Sequence, residues 1–561
     1  MLPGITPLLA AQRSPGAIEV HAVADAILAE NQRVQRLATE GDGWGDNTPE
    51  TRAARALLED GWLARLRAVD PTAFERGDQL LYGMLRESLE SAAGLRICRA
   101  PLWNVSPLAG WHLSFSSLPA SLPVAMPADR DRLVRRFQAV DRLVDERIAD
   151  LREGLAAGYS APRSSVSRVV EQLDVLLPAN LEASPLFAPA RRAGDSAFTA
   201  RWTATLRDHA YPAIQRFRDF LVTEYQPRAR ESIALSALPD GTACYRAQVR
   251  AYTSLDLDPA DLRRMGRAAR TEADSQATIL LARLLPGRSP EEARSIVRTD
   301  PAFVHRDAEE MLTGARETLA HLRGVLGPWF SRIPADTLVV EPTPEVLARS
   351  DAAARYSGPA GGRPSIFFVN TFRPEIRPRM ALGNMAAHEG YPGHHFQGSL
   401  ARARSVAHPI QRQLGAAAFT EGWGMYAERL ADEMSGYRTD LDRIGYFLHI
   451  AVALLALEAD PGIHANGWSR ATAVDSLLAG TGRPRAEAEQ FADRHAATPG
   501  QLVTYMVGYL EILRLREQAR VALGERFDIR SFHDQVLEDG PVTLAMLRAK
   551  IERWIGTQRH D

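Results

Sequence analysis

A mostly α-helical fold with one small β-sheet is what this sequence predicts, on three observations. Apolar residues recur at helical spacing along most of the 561 residues, as in Val20, Val23 and Ile27, with polar residues between them. Asp258-Pro259 and Ser289-Pro290 each pair a capping side chain with a proline in the first turn, a signature of helix starts. Only Leu338–Glu341 and Ser365–Asn370 carry the β-branched and aromatic enrichment of strands.

Taken in order, Ile18 to Ile97 reads as amphipathic helices. Pro101 to Pro127, rich in Pro, Ser and Leu around Trp103 and Trp111, reads as an ordered irregular loop. Asp129 to Leu155 is a long charged helix, Gly158 to Arg163 breaks it, and Ser165 to Leu177 resumes. A looser stretch to Arg191 precedes a helix over Tyr211–Tyr225. Pro227 to Asp240 then divides an N-terminal helical lobe, 1–240, from a catalytic helical lobe, 241–561. The Asp258 helix runs to Leu284, and Gly358 to Pro364 reads as a hairpin turn before the second strand. Helical period returns over Met380–Leu400, Ile410–Met434, Asp440–Leu457, Trp468–Leu478, Arg485–His495, Gln501–Leu523 and Thr543–Trp554.

A formal charge of -2 argues against a nucleic-acid binder, which would carry a basic surplus. The first residues lack a basic n-region and a sufficient apolar run for a secretory signal. The longest apolar run, Tyr446 to Leu457, is shorter than the ~20 residues of a membrane span. Two cysteines, Cys98 and Cys244, are too few and too far apart for a disulfide framework, which suits a reducing compartment. Together these predict a soluble, cytoplasmic protein, monomeric or homodimeric, with no nucleic-acid or membrane partner.

The chemistry concentrates in His388-Glu389-Gly-Tyr-Pro-Gly-His394-His395 and in Glu421 of Thr-Glu-Gly-Trp-Gly-Met-Tyr-Ala-Glu. Two histidines and a carboxylate from another helix are the ligand types of a catalytic zinc site, leaving one position open. The common arrangement puts the histidines four apart on one helix face, but here position 392 is proline. Pro392 lacks the N–H that would bond the His388 carbonyl, so the helix must break or kink between the ligands. Either His394 or His395 then completes the pair, and the other packs or hydrogen-bonds. Glu389 is placed to take a proton from zinc-bound water and pass it to a leaving amine. Glu428 reads as a solvated charge in preference to a partner of the site. The donor set also suits iron or manganese.

Four segments carry a family resemblance: Gly-Arg-Pro-Ser-Ile-Phe-Phe-Val-Asn-Thr, His-Glu-Gly-Tyr-Pro-Gly-His-His-Phe-Gln, Thr-Glu-Gly-Trp-Gly-Met-Tyr-Ala-Glu-Arg-Leu and Pro-Gly-Gln-Leu-Val-Thr-Tyr-Met-Val-Gly-Tyr. Together they resemble the bacterial family termed domain of unknown function 885, placed among zincin-like metallopeptidases related in fold to neurolysin, angiotensin-converting enzyme and Taq carboxypeptidase. The resemblance implies a two-lobed helical zincin-like metallopeptidase with a small β-sheet beside a deep active-site cleft. It implies Zn2+ on His388, His394 and Glu421, with Glu389 as base and His395 open as the alternative ligand. It also implies that the strand at Phe367–Asn370, with Phe368, Val369 and Asn370, holds substrate backbone, and that Tyr505 donates to the oxyanion. His464 would donate to the oxyanion or orient substrate. The implied activity is zinc-dependent hydrolysis of peptide or amide bonds in short peptides or amino-acid conjugates. A biosynthetic enzyme on the same metal site, or a binding protein with a degenerate one, is the competing expectation. Met506 stands where the family commonly has lysine, and an arginine expected before Asp460 is missing.

Overall fold

Helix starts in this chain repeatedly combine a capping oxygen with proline in the first turn. Ser14 caps α1 (Pro15–Glu40), Thr48 caps α2 (Pro49–Arg67), and these pack with α3 (Arg76–Leu95). The computed structural model describes residues 13–348, 352–479 and 481–560. The sequence start read above for a secretory signal lies largely in residues 1–12, outside the described residues. Val20, Val23, Leu66, Leu81 and Leu85 form the core of α1–α3, joined by Ile410 from the far half of the chain.

A second apolar cluster gathers α4 (Trp111–Ser121), α5 (Pro127–Gln138), α6 (Val140–Ala156), α7 (Arg163–Leu176), α8 (Ala188–Ala193), α9 (Ser196–Thr205) and α10 (Tyr211–Phe220) around Phe115, Phe137 and Trp202. The stretch expected as loop thus contains a helix, α4, whose apolar residues Phe115 and Trp111 have aromatic partners. The single helix expected over Asp129–Leu155 is two, interrupted at Ala139. The residues expected as one lobe, 1–240, fall into these two clusters, with Met84, Cys98 and Leu102 joining the main core beyond them.

The main core is built on α11 (Gly241–Thr253), α12 (Pro259–Leu284), α13 (Pro290–Thr299) and α14 (Ala308–Gly324). The Asp258 cap and the Ser289–Glu292 capping box sit where the sequence places them. The sheet follows, with β1 (Leu338–Pro342), the one-turn α15 (Glu345–Ala348), β2 (Ala354–Ser357) and β3 (Ser365–Val369). Its order is β1-β3-β2, β1 parallel and β2 antiparallel to β3. The turn at Gly358–Pro364 joins β2 to β3; the sequence reading lacked β2, whose Ala-Arg-Tyr-Ser is short and polar.

Then come α16 (Ala381–Glu389), α17 (His394–Ala403), α18 (Ala417–Glu433), α19 (Asp440–His464), α20 (Arg470–Leu478), α21 (Arg485–Ala497), α22 (Val503–Leu523), α23 (Ile529–Leu537) and α24 (Leu544–His560). α19 runs seven residues past its expected end, through Pro461, and packs along α12. It is long and apolar enough to cross a membrane by composition, but 83% of its most apolar stretch is buried. A helix apolar all round is explained by burial in the core of a large protein.

Cys98, just after α3, is bonded to Cys244 on α11, with an S–S distance of 2.15 Å across 146 residues of chain. The fold therefore brings together the two thiols that were expected to stay reduced. Sequence separation says nothing about spatial separation, and a bond closing so long a loop removes about 3–5 kcal/mol of unfolded-state freedom.

Candidate active site

Pro392 decides the local geometry. α16 ends at Glu389, four residues turn through a cis Tyr391–Pro392 bond, and α17 begins at His394. The expected kink is thus a full break between two helices. A β-carbon on Gly393 would lie 1.8 Å from the His388 carbonyl oxygen, so only glycine lets the chain pass there. Trp423 on α18 donates its indole N–H to the Pro392 carbonyl at 2.8 Å, pinning the turn from the neighbouring helix.

The break brings the His388 and His394 rings to 4.6 Å between centroids, nearly perpendicular. Glu421 meets both: its Oε2 lies 3.5 Å from His388 Nε2 and 3.5 Å from His394 Nε2. One ligand atom from each of the three residues lies within 4.8 Å of the others. Bonds of about 2.0–2.1 Å at tetrahedral angles set ligand atoms about 3.3 Å apart, so these separations fit a small divalent cation. Although burial raises it, His388 and His394 hold the Glu421 carboxyl down at about 2.

The remaining letters of Glu-Gly-Trp-Gly are explained by neighbours. A β-carbon on Gly424 would lie 2.6 Å from His388 Cε1, so the ring occupies the space that glycine leaves. Gly422 meets Gly508 of α22, where a β-carbon on Gly508 would strike the Ala418 carbonyl at 1.7 Å. That crossing sets the approach of α22, which carries Tyr505.

Glu428 departs from its reading as a solvated charge. It is fully buried and takes 2.9 Å and 2.8 Å contacts from His388 Nδ1 and His449 Nδ1, one on each oxygen. A carboxylate on Nδ1 fixes the His388 tautomer with its Nε2 lone pair toward Glu421 and His394. Nothing in the local sequence marks His449; only the packing of α18 against α19 shows it. Glu389 Oε2 accepts from the Tyr356 amide of β2 at 3.0 Å, and Tyr505 sits with its ring 6.4 Å from that of His388.

Two expectations for site residues, the β3 substrate edge and His464, are not met by their placement. β3 is the central strand, paired on both sides, so Phe368, Val369 and Asn370 offer no free edge to a substrate. Asn370 is buried, donating to the Ala348 and Ala352 carbonyls and accepting from the Phe372 amide. Of the two edge strands, β1 and β2, it is β2 that lies at the cleft, which Arg355 and Tyr356 line together with the preceding Ala353. His464 is buried away from the cleft, accepting from Leu235 N–H at 3.3 Å and donating to the His495 carbonyl at 2.9 Å. His395 is likewise buried; its Nε2 meets the Asp336 carbonyl at 3.3 Å, pointing it away from Glu421.

His388, Glu389, His394, Glu421, Glu428, His449 and Tyr505 line one cavity of about 680 Å³. That volume lies in the range of small-molecule sites. A donor triad, a neighbouring carboxylate and a phenol thus line one cavity.

Two solved structures resemble the whole chain. One, described as a "putative lipoprotein" from Colwellia psychrerythraea, is 20% identical, covers 97% of this chain and 99% of its own, and has a TM-score of 0.84. The other, a "putative lipoprotein of unknown function" from Shewanella oneidensis, is 18% identical, covers 96% and 99%, and has a TM-score of 0.78. They share the fold. A search of curated proteins finds no match to the chain. The family model described as "Bacterial protein of unknown function (DUF885)" matches residues 33–551, nearly the full length, and the chain therefore belongs to that family.

Proposed function

We propose that this protein is a zincin-like metal-dependent hydrolase of peptide or amide bonds in short peptides or amino-acid conjugates. The observation that carries the reading is the convergence of His388, His394 and Glu421 inside a cavity that also holds Glu389. A cation on these ligands, zinc by donor type, would polarise a carbonyl and lower the pKa of water.

Glu389 receives the proton and delivers it to the departing amine; its Oε2 is already held by Tyr356 N–H, leaving Oε1 for that exchange. Tyr505, on the cavity wall, donates its hydroxyl to the developing oxyanion. The edge of β2 lies along the cleft and offers backbone groups to an extended substrate. Glu428 holds His388 in register and keeps both of its oxygens occupied.

The Cys98–Cys244 bond supports an oxidising compartment, in line with the description of two similar structures as lipoproteins. The test of function is metal analysis of the purified protein followed by digestion of a peptide and aryl-amide library read by mass spectrometry. One equivalent of zinc is expected, with hydrolysis abolished by chelation. Glu389→Gln is expected to keep the metal and lose about 10²–10⁴ in turnover. A protein without stoichiometric metal, or a Glu389→Gln variant as active as the parent, would overturn the reading.

A further inference from the structure

The cavity that holds the metal-type ligands also has a basic wall. Arg298, in the last turn of α13, lines it together with Arg483 and Arg494. The neighbouring cations have partners: Arg294 reaches Asp274 at 3.4 Å, Arg483 Nη1 reaches Glu487 at 3.0 Å, and Arg494 reaches the Gln501 side chain at 3.0 Å. Arg298 has none among the described residues, and its Nε is buried without a hydrogen bond. Glu487 is the acidic group of this neighbourhood: its charge favours the Arg298 cation, but its hydrogen bond goes to Arg483, and Arg298 has no hydrogen-bonded carboxylate among the described residues.

A guanidinium withdrawn from water and left without an anion is costly unless something else completes it. Burial lowers the pKa of Arg298 and the Arg483 charge lowers it further, against the raising effect of Glu487; a bound anion acts in the same sense as Glu487. The walls between are apolar, with Leu448, Val452 and Ala456 of α19 at helical spacing and Phe491 and Leu502 beside them. The cavity therefore joins an acidic, metal-type centre, an apolar surface and a cation with no hydrogen-bonded anion among the described residues.

We propose that Arg298 binds a carboxylate of the substrate, so that the hydrolase acts on compounds carrying a free carboxyl group in addition to the scissile amide. This deepens the hydrolase reading and rests on it for the word substrate. The binding site itself does not depend on turnover. A planar guanidinium with its fork free matches a carboxylate with two parallel hydrogen bonds. The carboxylate is either the α-carboxylate of a C-terminal residue or an acidic side chain.

The experiment is calorimetric titration of the full-length chain, in a Glu389→Gln background, with a panel of N-acetyl amino acids and the matching N-acetyl amino-acid amides. At least one acid is expected to bind about tenfold or more tightly than its amide. Arg298→Met is expected to remove that preference while leaving the amide affinity in place. Arg298→Lys retains part of it and serves where the Met variant loses its thermal transition. N-Acetylglutamine, with only an α-carboxylate, and N-acetylglutamic acid α-amide, with only a side-chain carboxylate, identify the source.

Binding is read without hydrolysis, so a protein that binds acids through Arg298 but cleaves nothing fails the hydrolase reading and keeps this one. No acid preferred over its amide, or a preference that survives Arg298→Met, overturns the proposal. So does one that vanishes on chelation and persists in that variant, since the metal would then be the anion's partner.

Discussion

Gly424 shows how much of the site is decided by an atom that is missing. His388 lies so close to its backbone that a methyl group would meet the ring at 2.6 Å. The ring is held on its other side by Glu428, so it yields by losing its aim at Glu421. Gly424→Ala is expected to fold, because alanine favours the helix interior by about 1 kcal/mol. It is expected to weaken metal affinity by about 10–100-fold, the scale seen when the support of a ligand is disturbed. Metal content after dialysis against graded chelator, compared with unchanged helical circular dichroism, checks it. At this scale the sequence was readable where the chemistry needs particular donors: His388, Glu389, His394 and Glu421 all line the cavity. It was silent on His449 and Arg298 and favoured the wrong reading of Glu428, because an ordinary helical residue becomes part of a site only through what another helix places beside it.

Single elements carry a second kind of constraint. α16 and α17 are two helices because proline cannot continue one, and that was legible from Pro392 alone. The role of β3 was not legible. A strand rich in Phe and Val reads as a substrate edge or a buried centre equally well, and only its pairing on both sides decides for the centre. The end of α19 was misread in the same way, since Pro461 suggests a stop that burial overrides.

On either side of that proline, Asp460 takes the Tyr245 hydroxyl, His495 Nδ1 and the Gly500 amide, while His464 bonds Leu235 and His495. This network locks the helix terminus to α11 and α21. Burial holds His464 down at about 4, and protonating Nδ1 would also cost it the Leu235 N–H. The folded state keeps this ring neutral while the unfolded chain takes up its proton near 6.5. The contribution is therefore complete above pH 6.5 and is lost progressively as pH falls toward 4. About 3 kcal/mol is at stake. Urea unfolding at pH 7 and pH 4.5 should show a drop in the parent that is smaller by about that amount in His464→Asn. Equal drops would show that another group carries the acid sensitivity.

For the molecule as a whole, the mostly helical architecture follows from periodicity and caps, whereas the grouping of helices does not. α1–α3 share a cluster with Ile410, and α4–α10 form their own cluster, a grouping that chain order alone does not show. The Cys98–Cys244 bond spans almost the whole of that second cluster, from before α4 to after α10. Closing the chain there makes residues 98–244 a covalent ring with two tails. A protease that cuts once anywhere inside that ring releases no fragment: limited digestion within α4–α10 should leave the mass on a non-reducing gel unchanged, and two pieces should separate only when a reductant is added. A single cut that separates the pieces without reductant would mean the two sulfurs are not joined.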